Sequence, residues 1–110
     1  MPRSNQLIMQ EFFDSLVKIV SEGASDKYVL MVLHKFVESH TKVYPFLKYV
    51  HIDLKKIKVN KKINSVNPKF IGGFLKFLIN SLFSHLFMLL VKRKIPSELA
   101  EDLEFLGIKV

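Results

Sequence analysis

Lysine is the residue type whose placement in this chain most directly invites chemistry. Between residues 42 and 69 stand Lys42, Lys48, Lys55, Lys56, Lys58, Lys61, Lys62 and Lys69, with Asp53 as the only acid, a net of +7. The 110-residue chain as a whole also sums to +7, because residues 1–41 carry −1 and residues 70–110 carry +1. Ammonium groups concentrated in this way neutralise phosphates and release their counterions. Lys55, Lys56, Lys58, Lys61 and Lys62 are therefore the candidate phosphate or nucleic-acid contacts, with Tyr44, Phe46 and Tyr49 nearby as rings on which bases could stack. All eight cations are Lys and none is Arg, so bidentate reading of phosphate or guanine is not expected. Lysines on an exposed strand also have a plainer use, which is to prevent edge-to-edge pairing. The pattern fits that guard role first and phosphate contact second.

Other chemistry finds less support. The chain has no cysteine, which removes thiol catalysis, disulfides, iron–sulfur clusters and cysteine zinc sites. His34, His40, His51 and His85 include no pair at His-x-x-x-His spacing, so no metal is expected. His34 falls four residues before Glu38 on an exposed helical face, an ordinary solvated pair. His40 lies near a helix C-terminus, where an imidazole is favourable, and His85 is expected to be a buried, hydrogen-bonded side chain. Gly72-Gly73 matches no phosphate-binding loop, and close packing against a neighbour explains these glycines more simply than an anion site at a helix start. Glu98, Glu101, Asp102 and Glu104 read as the solvated face of a short helix. No nucleophile motif is present. Catalytic, cofactor-binding and metal residues are thus expected to be none.

The elements that must carry these residues follow from periodicity. Ser4 to Glu22 puts Ile8, Met9, Phe12, Phe13, Leu16, Ile19 and Val20 on one side of a helix, which Gly23 stops. Ser25 is a ready N-cap for a second helix to about His40 that buries Val29, Leu30, Leu33, Phe36 and Val37. The short link makes the two a helical hairpin. The alternative of a DNA-binding helix-turn-helix lacks a polar, basic recognition face. After Pro45, Val50, Ile52 and Leu54 alternate with His51, Asp53 and Lys55 as a half-buried strand does. Ile57 and Val59 continue it with shifted parity, as a bulge at Lys55-Lys56 produces, and Ile63 to Val66 is read as a short second strand. Asn67-Pro68 opens a long helix to Val91. One side of that helix is aliphatic from Ile71 to Leu90, while the other carries Phe70, Phe74, Phe77 and Met88. Pro96 and Ser97 start a final short helix that Gly107 ends, leaving Ile108 to Val110 as an edge strand or tail.

The expected architecture is a single domain over 1–110, mainly α with a small β element (α+β). It comprises an N-terminal helical hairpin, a short β-ribbon, a long central helix and a short C-terminal helix. The first 22 residues lack a secretory pattern, since Glu11 and Asp14 interrupt any apolar run, and a cytoplasmic location is expected. The apolar run 70–91 holds Lys76, Asn80, Ser81, Ser84 and His85, which oppose spanning a bilayer. The leading functional expectation is a small non-catalytic interaction or adaptor module. It would self-associate as a homodimer, or bind a protein partner, through Phe70, Phe74, Phe77 and Met88. The second is a nucleic-acid or phosphate-binding protein acting through the Lys-rich segment 48–62. The third, membrane association through 70–94, ranks last.

Overall fold

Serine begins both N-terminal helices for the same reason. In the computed structural model, which describes residues 3–21, 25–82 and 94–108, the Ser4 hydroxyl accepts from the Leu7 amide at 3.3 Å to open α1 (Asn5–Val20). The Ser25 hydroxyl accepts from the Tyr28 amide at 3.2 Å to open α2 (Asp26–His40). Each cap satisfies an amide that a helix start leaves free. The C-terminal end of α1 falls at Ser21, whose amide donates to the Val17 carbonyl; the expected stop at Gly23 lies outside the described residues. The apolar stripes read from the sequence are buried except at Val20 and Phe36, which are partly buried, and α1 and α2 pack on each other.

From α2 the chain passes through a 3-10 helix (Pro45–Tyr49) into β1 (Val50–Ile52), reverses into β2 (Ile57–Val59), and enters a second 3-10 helix (Lys61–Ser65). The strands are antiparallel, with Val50 opposite Val59, His51 opposite Lys58 and Ile52 opposite Ile57. The expected bulge at Lys55-Lys56 is instead the turn of this hairpin. The first strand stops at Ile52 and leaves Leu54 60% exposed. The strand expected at Ile63 to Val66 is the second 3-10 helix, capped by Asn60, whose side-chain oxygen accepts from the Lys62 amide at 2.9 Å.

The Asn67 side chain accepts from the Lys69 amide at 3.0 Å and starts α3 (Pro68–Leu82). The expected continuation to Val91, with His85 and Met88, lies outside the described residues. Ile71, Phe74, Leu75, Leu78 and Ile79 are buried. The final helix, α4 (Ser97–Phe105), buries Leu99 and Leu103. It ends with Gly107 at φ 89°, the Gly107 amide donating to Glu104 and the Ile108 amide to Leu103. That 5→2 and 6→1 pair is the Schellman closure, in which buried Ile108 packs back on the helix end. Ile108 therefore finishes α4, and the rest of the expected edge strand or tail, 109–110, lies outside the described residues. Buried residues from every element join one core cluster, and the chain is mainly α with a small two-stranded sheet. Among the described residues no helix is long and apolar enough to cross a membrane.

The two adjacent glycines of α3 differ sharply in surroundings. A Cβ on Gly72 would collide with the Leu106 carbonyl oxygen, whereas one on Gly73 would meet nothing within 4 Å. Gly72→Ala should therefore destabilise by about 1–3 kcal/mol as the end of α4 is pushed off α3. Gly73→Ala should stabilise by about 0.5–1 kcal/mol through helix propensity alone. Urea unfolding of both variants checks this, and equal effects would mean that α4 does not seat on Gly72.

Candidate phosphate-binding surface

Asp53 builds the tip of the ribbon. One of its carboxylate oxygens accepts from the Lys55 amide at 2.7 Å and the Lys56 amide at 2.8 Å, and its own amide donates to the Lys56 carbonyl at 3.0 Å. The Lys55 amide first and the Lys56 amide second hold the Asp53 carboxyl below its ordinary value of 3.8. The only acid of the 42–69 segment is thus engaged with backbone. Because the folded value is depressed, its contribution to the turn is complete above pH 3.8 and is lost as pH falls below it. Asp53→Ala should speed amide hydrogen exchange at Lys55 and Lys56, while Asp53→Asn, which keeps a side-chain acceptor, should largely preserve protection. Equal exchange in both variants would show that the carboxylate does not hold the turn.

Pleat alternation sorts the rest of the ribbon. Val50, Ile52, Ile57 and Val59 face the core, while His51 and Lys58, directly opposite one another, face out. Lys42, Lys48, Lys55, Lys56, Lys58, Lys61, Lys62 and Lys69 are all exposed. None of the eight lies within 4 Å of a carboxylate among the described residues. The candidate contacts Lys55, Lys56, Lys58, Lys61 and Lys62 therefore run without interruption from the turn, along the outer face of β2, to the second 3-10 helix.

On the β2 side the ribbon does not depend on lysine to guard its edge. The outer edge of β2 is already closed by α1: the Gln10 side chain donates to the Ile57 carbonyl at 2.7 Å and accepts from the Val59 amide at 2.9 Å. Gln6 adds a donor to the Val59 carbonyl at 3.1 Å. A carboxamide carries the same donor and acceptor as a peptide group, so Gln10 stands where a third strand would pair. Asn5 likewise pins the second 3-10 helix, donating to the Ile63 and Val66 carbonyls at 3.1 and 2.7 Å. Helical periodicity gives no sign of a Gln10 partner 49 residues away.

The aromatic residues named as stacking rings are not free. Phe46 is buried, and Tyr44 packs against Phe46, Phe74 and Phe77 at centroid separations of 5.2–6.1 Å. Tyr49 has the Lys48 ammonium over its ring at 5.2 Å. His40 joins the same cluster, its ring against Phe36 and Phe77 and its Nδ1 bonded to the Phe36 carbonyl at 2.7 Å. His34 pairs with Glu38 at 3.0 Å as the spacing suggests, and among the described residues no three His, Asp or Glu side chains could hold a metal ion.

No family model, curated protein or solved structure matches this chain. The surface must accordingly be weighed on its own geometry.

The proposed hydrophobic interface separates into three cases. Phe74 is fully buried in the intramolecular core, which removes it from any surface. Phe70 is 62% and Phe77 37% exposed, and Met88 lies outside the described residues. The acidic helix also needs correction: Asp102 is buried, not solvated, and accepts from Arg3 Nε at 2.7 Å. The same guanidinium grips Glu11 through two bonds at 2.6 and 2.8 Å and approaches Glu98 at 3.2 Å. Three carboxylates are thus gathered at the junction of α1 and α4.

Proposed function

We propose that this chain is a non-catalytic binding module for nucleic acid, contacting its phosphates through Lys55, Lys56, Lys58, Lys61 and Lys62. The observation that carries the reading is the combination of exposed, acid-free lysines with a β2 edge that Gln6 and Gln10 already close. Edge protection on the β2 side is thus supplied by carboxamides and not by lysine. A cytoplasmic location, where such a partner is met, belongs to the same proposal. Fluorescence anisotropy with labelled nucleic acid tests it. Binding at 50 mM salt should weaken by about two to three decades at 200 mM if about five phosphates are engaged. Lys55→Glu/Lys56→Glu/Lys58→Glu should abolish it, and no binding of any nucleic acid at 50 mM would refute it.

A second reading, self-association through α3, is supported by the exposure of Phe70 and Phe77. Light scattering across micromolar concentrations decides it: a strictly monomeric mass removes the homodimer.

A further inference from the structure

We infer that the basic ribbon holds a double-stranded nucleic acid by its phosphate backbone, blind to base sequence; this rests on the nucleic-acid reading above. Three features of the surface exclude the other modes of engagement. A two-stranded ribbon reads bases by entering the major groove, about 12 Å wide, as a projecting element. Here each strand lies beside a helix, β2 against α1 and β1 beside α2. Gln6 and Gln10 of α1 close the β2 edge, and a groove lined by Val37, Glu38 and Thr41 of α2 separates that helix from Val50, His51 and Ile52 on the β1 side. The lysines stand on the outer face and the turn, where they meet phosphates before base edges.

The carboxamide side chains near the ribbon that could read base edges are also engaged, and His51 faces out opposite Lys58. Asn60 caps the second 3-10 helix, and Asn64 accepts from the Gln6 amide at 2.9 Å. Gln6, Gln10 and Asn5 are bound to backbone groups of the ribbon and the helix after it. The cations left over are lysines, point charges that position without specifying.

Single strands are disfavoured by the aromatic arrangement. Binding of single strands without sequence preference relies on successive bases stacking on free rings. Tyr44 and Phe46 are packed into the core cluster, and the Tyr49 ring carries the Lys48 ammonium. Phe70 is exposed but is one ring on a different element. A duplex needs no rings, and it presents one charge per about 1.7 Å of axis, twice the density of one of its strands. Lys56 at the end of the turn and Lys58 on β2 are both exposed and two residues apart. Several ammonium groups along one short stretch can thus meet phosphates together.

The test titrates the full chain against two 20-base-pair duplexes of unrelated sequence and their separated strands between 50 and 200 mM salt, with phosphatidylserine vesicles as a further arm. Both duplexes should bind within about twofold of each other and more tightly than either strand. The slope of log affinity on log salt should be about −4.5, a loss of about 500-fold over that range for five contacts. Lys56→Gln/Lys58→Gln, confirmed folded by circular dichroism, should flatten the slope to about −2.7. Strands binding as tightly as duplexes, or a tenfold preference between the two sequences, would overturn the duplex inference and leave the nucleic-acid reading standing. Vesicle binding with no duplex binding would overturn both.

Discussion

Phe74→Ala is expected to cost about 3–5 kcal/mol of stability, while Phe70→Ala stays within about 0.5 kcal/mol. The two rings are one helical turn apart, yet Phe74 is 0% and Phe70 62% exposed. The Phe74 ring meets Phe36, Tyr44 and Phe46 at centroid separations of 5.2–6.2 Å, so truncation opens a cavity bordered by three rings. Neighbours bound to the backbone of α2 and of the first 3-10 helix cannot collapse fully into that space. A domain of this size has about 5–15 kcal/mol in total, so the variant should melt more than about 10 °C below the native chain. Urea and thermal unfolding at two protein concentrations check both halves. A large, concentration-dependent loss for Phe70→Ala would show that a second copy covers that ring and would favour self-association.

The confusion of Phe70 with Phe74 shows where sequence periodicity loses resolution. At about 100° per residue the buried arc of α3 runs from Phe74 through Leu78, Ile71, Leu75 and Ile79 to Gly72. Phe70 and Phe77 fall only about 40–60° outside its edge. A wheel resolves opposite sides well and adjacent ones badly, so three aromatic rings read as one face. Caps were legible because they are local: Ser4, Ser25, Asn67 and Gly107 each act on an amide or carbonyl within five residues. The hairpin was harder, since a bulge and a tight turn shift strand parity alike. The turn Asp53-Leu54-Lys55-Lys56 lacks glycine, proline and asparagine, and its one turn-forming residue, Asp53, also fits the strand alternation. Ile63 and Val66, three apart and both turned inward to some degree, carry the 3-10 period that a search for alternation misses. The lysine surface itself was visible in composition. What made it available, the Gln10 clasp on β2 and the withdrawal of acids elsewhere, depends on partners far apart in the chain.

The most distant of those partnerships yields the second large effect: Arg3→Met is expected to cost about 3 kcal/mol. Arg3 and Asp102 are 99 residues apart, and the Asp102 side chain is 6% exposed against 24% for Arg3. Hydrogen bonds to Glu11 and then Asp102 hold the Arg3 guanidinium charged well above its ordinary range. Because that shift is upward, its stabilising effect is fully present at every pH below arginine's ordinary range, so the arginine itself introduces no loss near neutrality. Most of the cost of Arg3→Met lies in stranding Asp102 inside the protein without its cation, which makes the expected rescue specific. Arg3→Met/Asp102→Leu, an apolar pair in the same place, should recover a large part of the loss. Arg3→Lys should recover only part of the loss, since its ammonium supplies Asp102 with a cation but not the two-bond fork to Glu11. Urea midpoints of the four chains at pH 7 decide the matter, and a loss below about 0.5 kcal/mol for Arg3→Met would mark the cluster as an ordinary surface pair. The clasp thus gathers Glu11, Glu98 and Asp102 around one guanidinium at the α1–α4 junction.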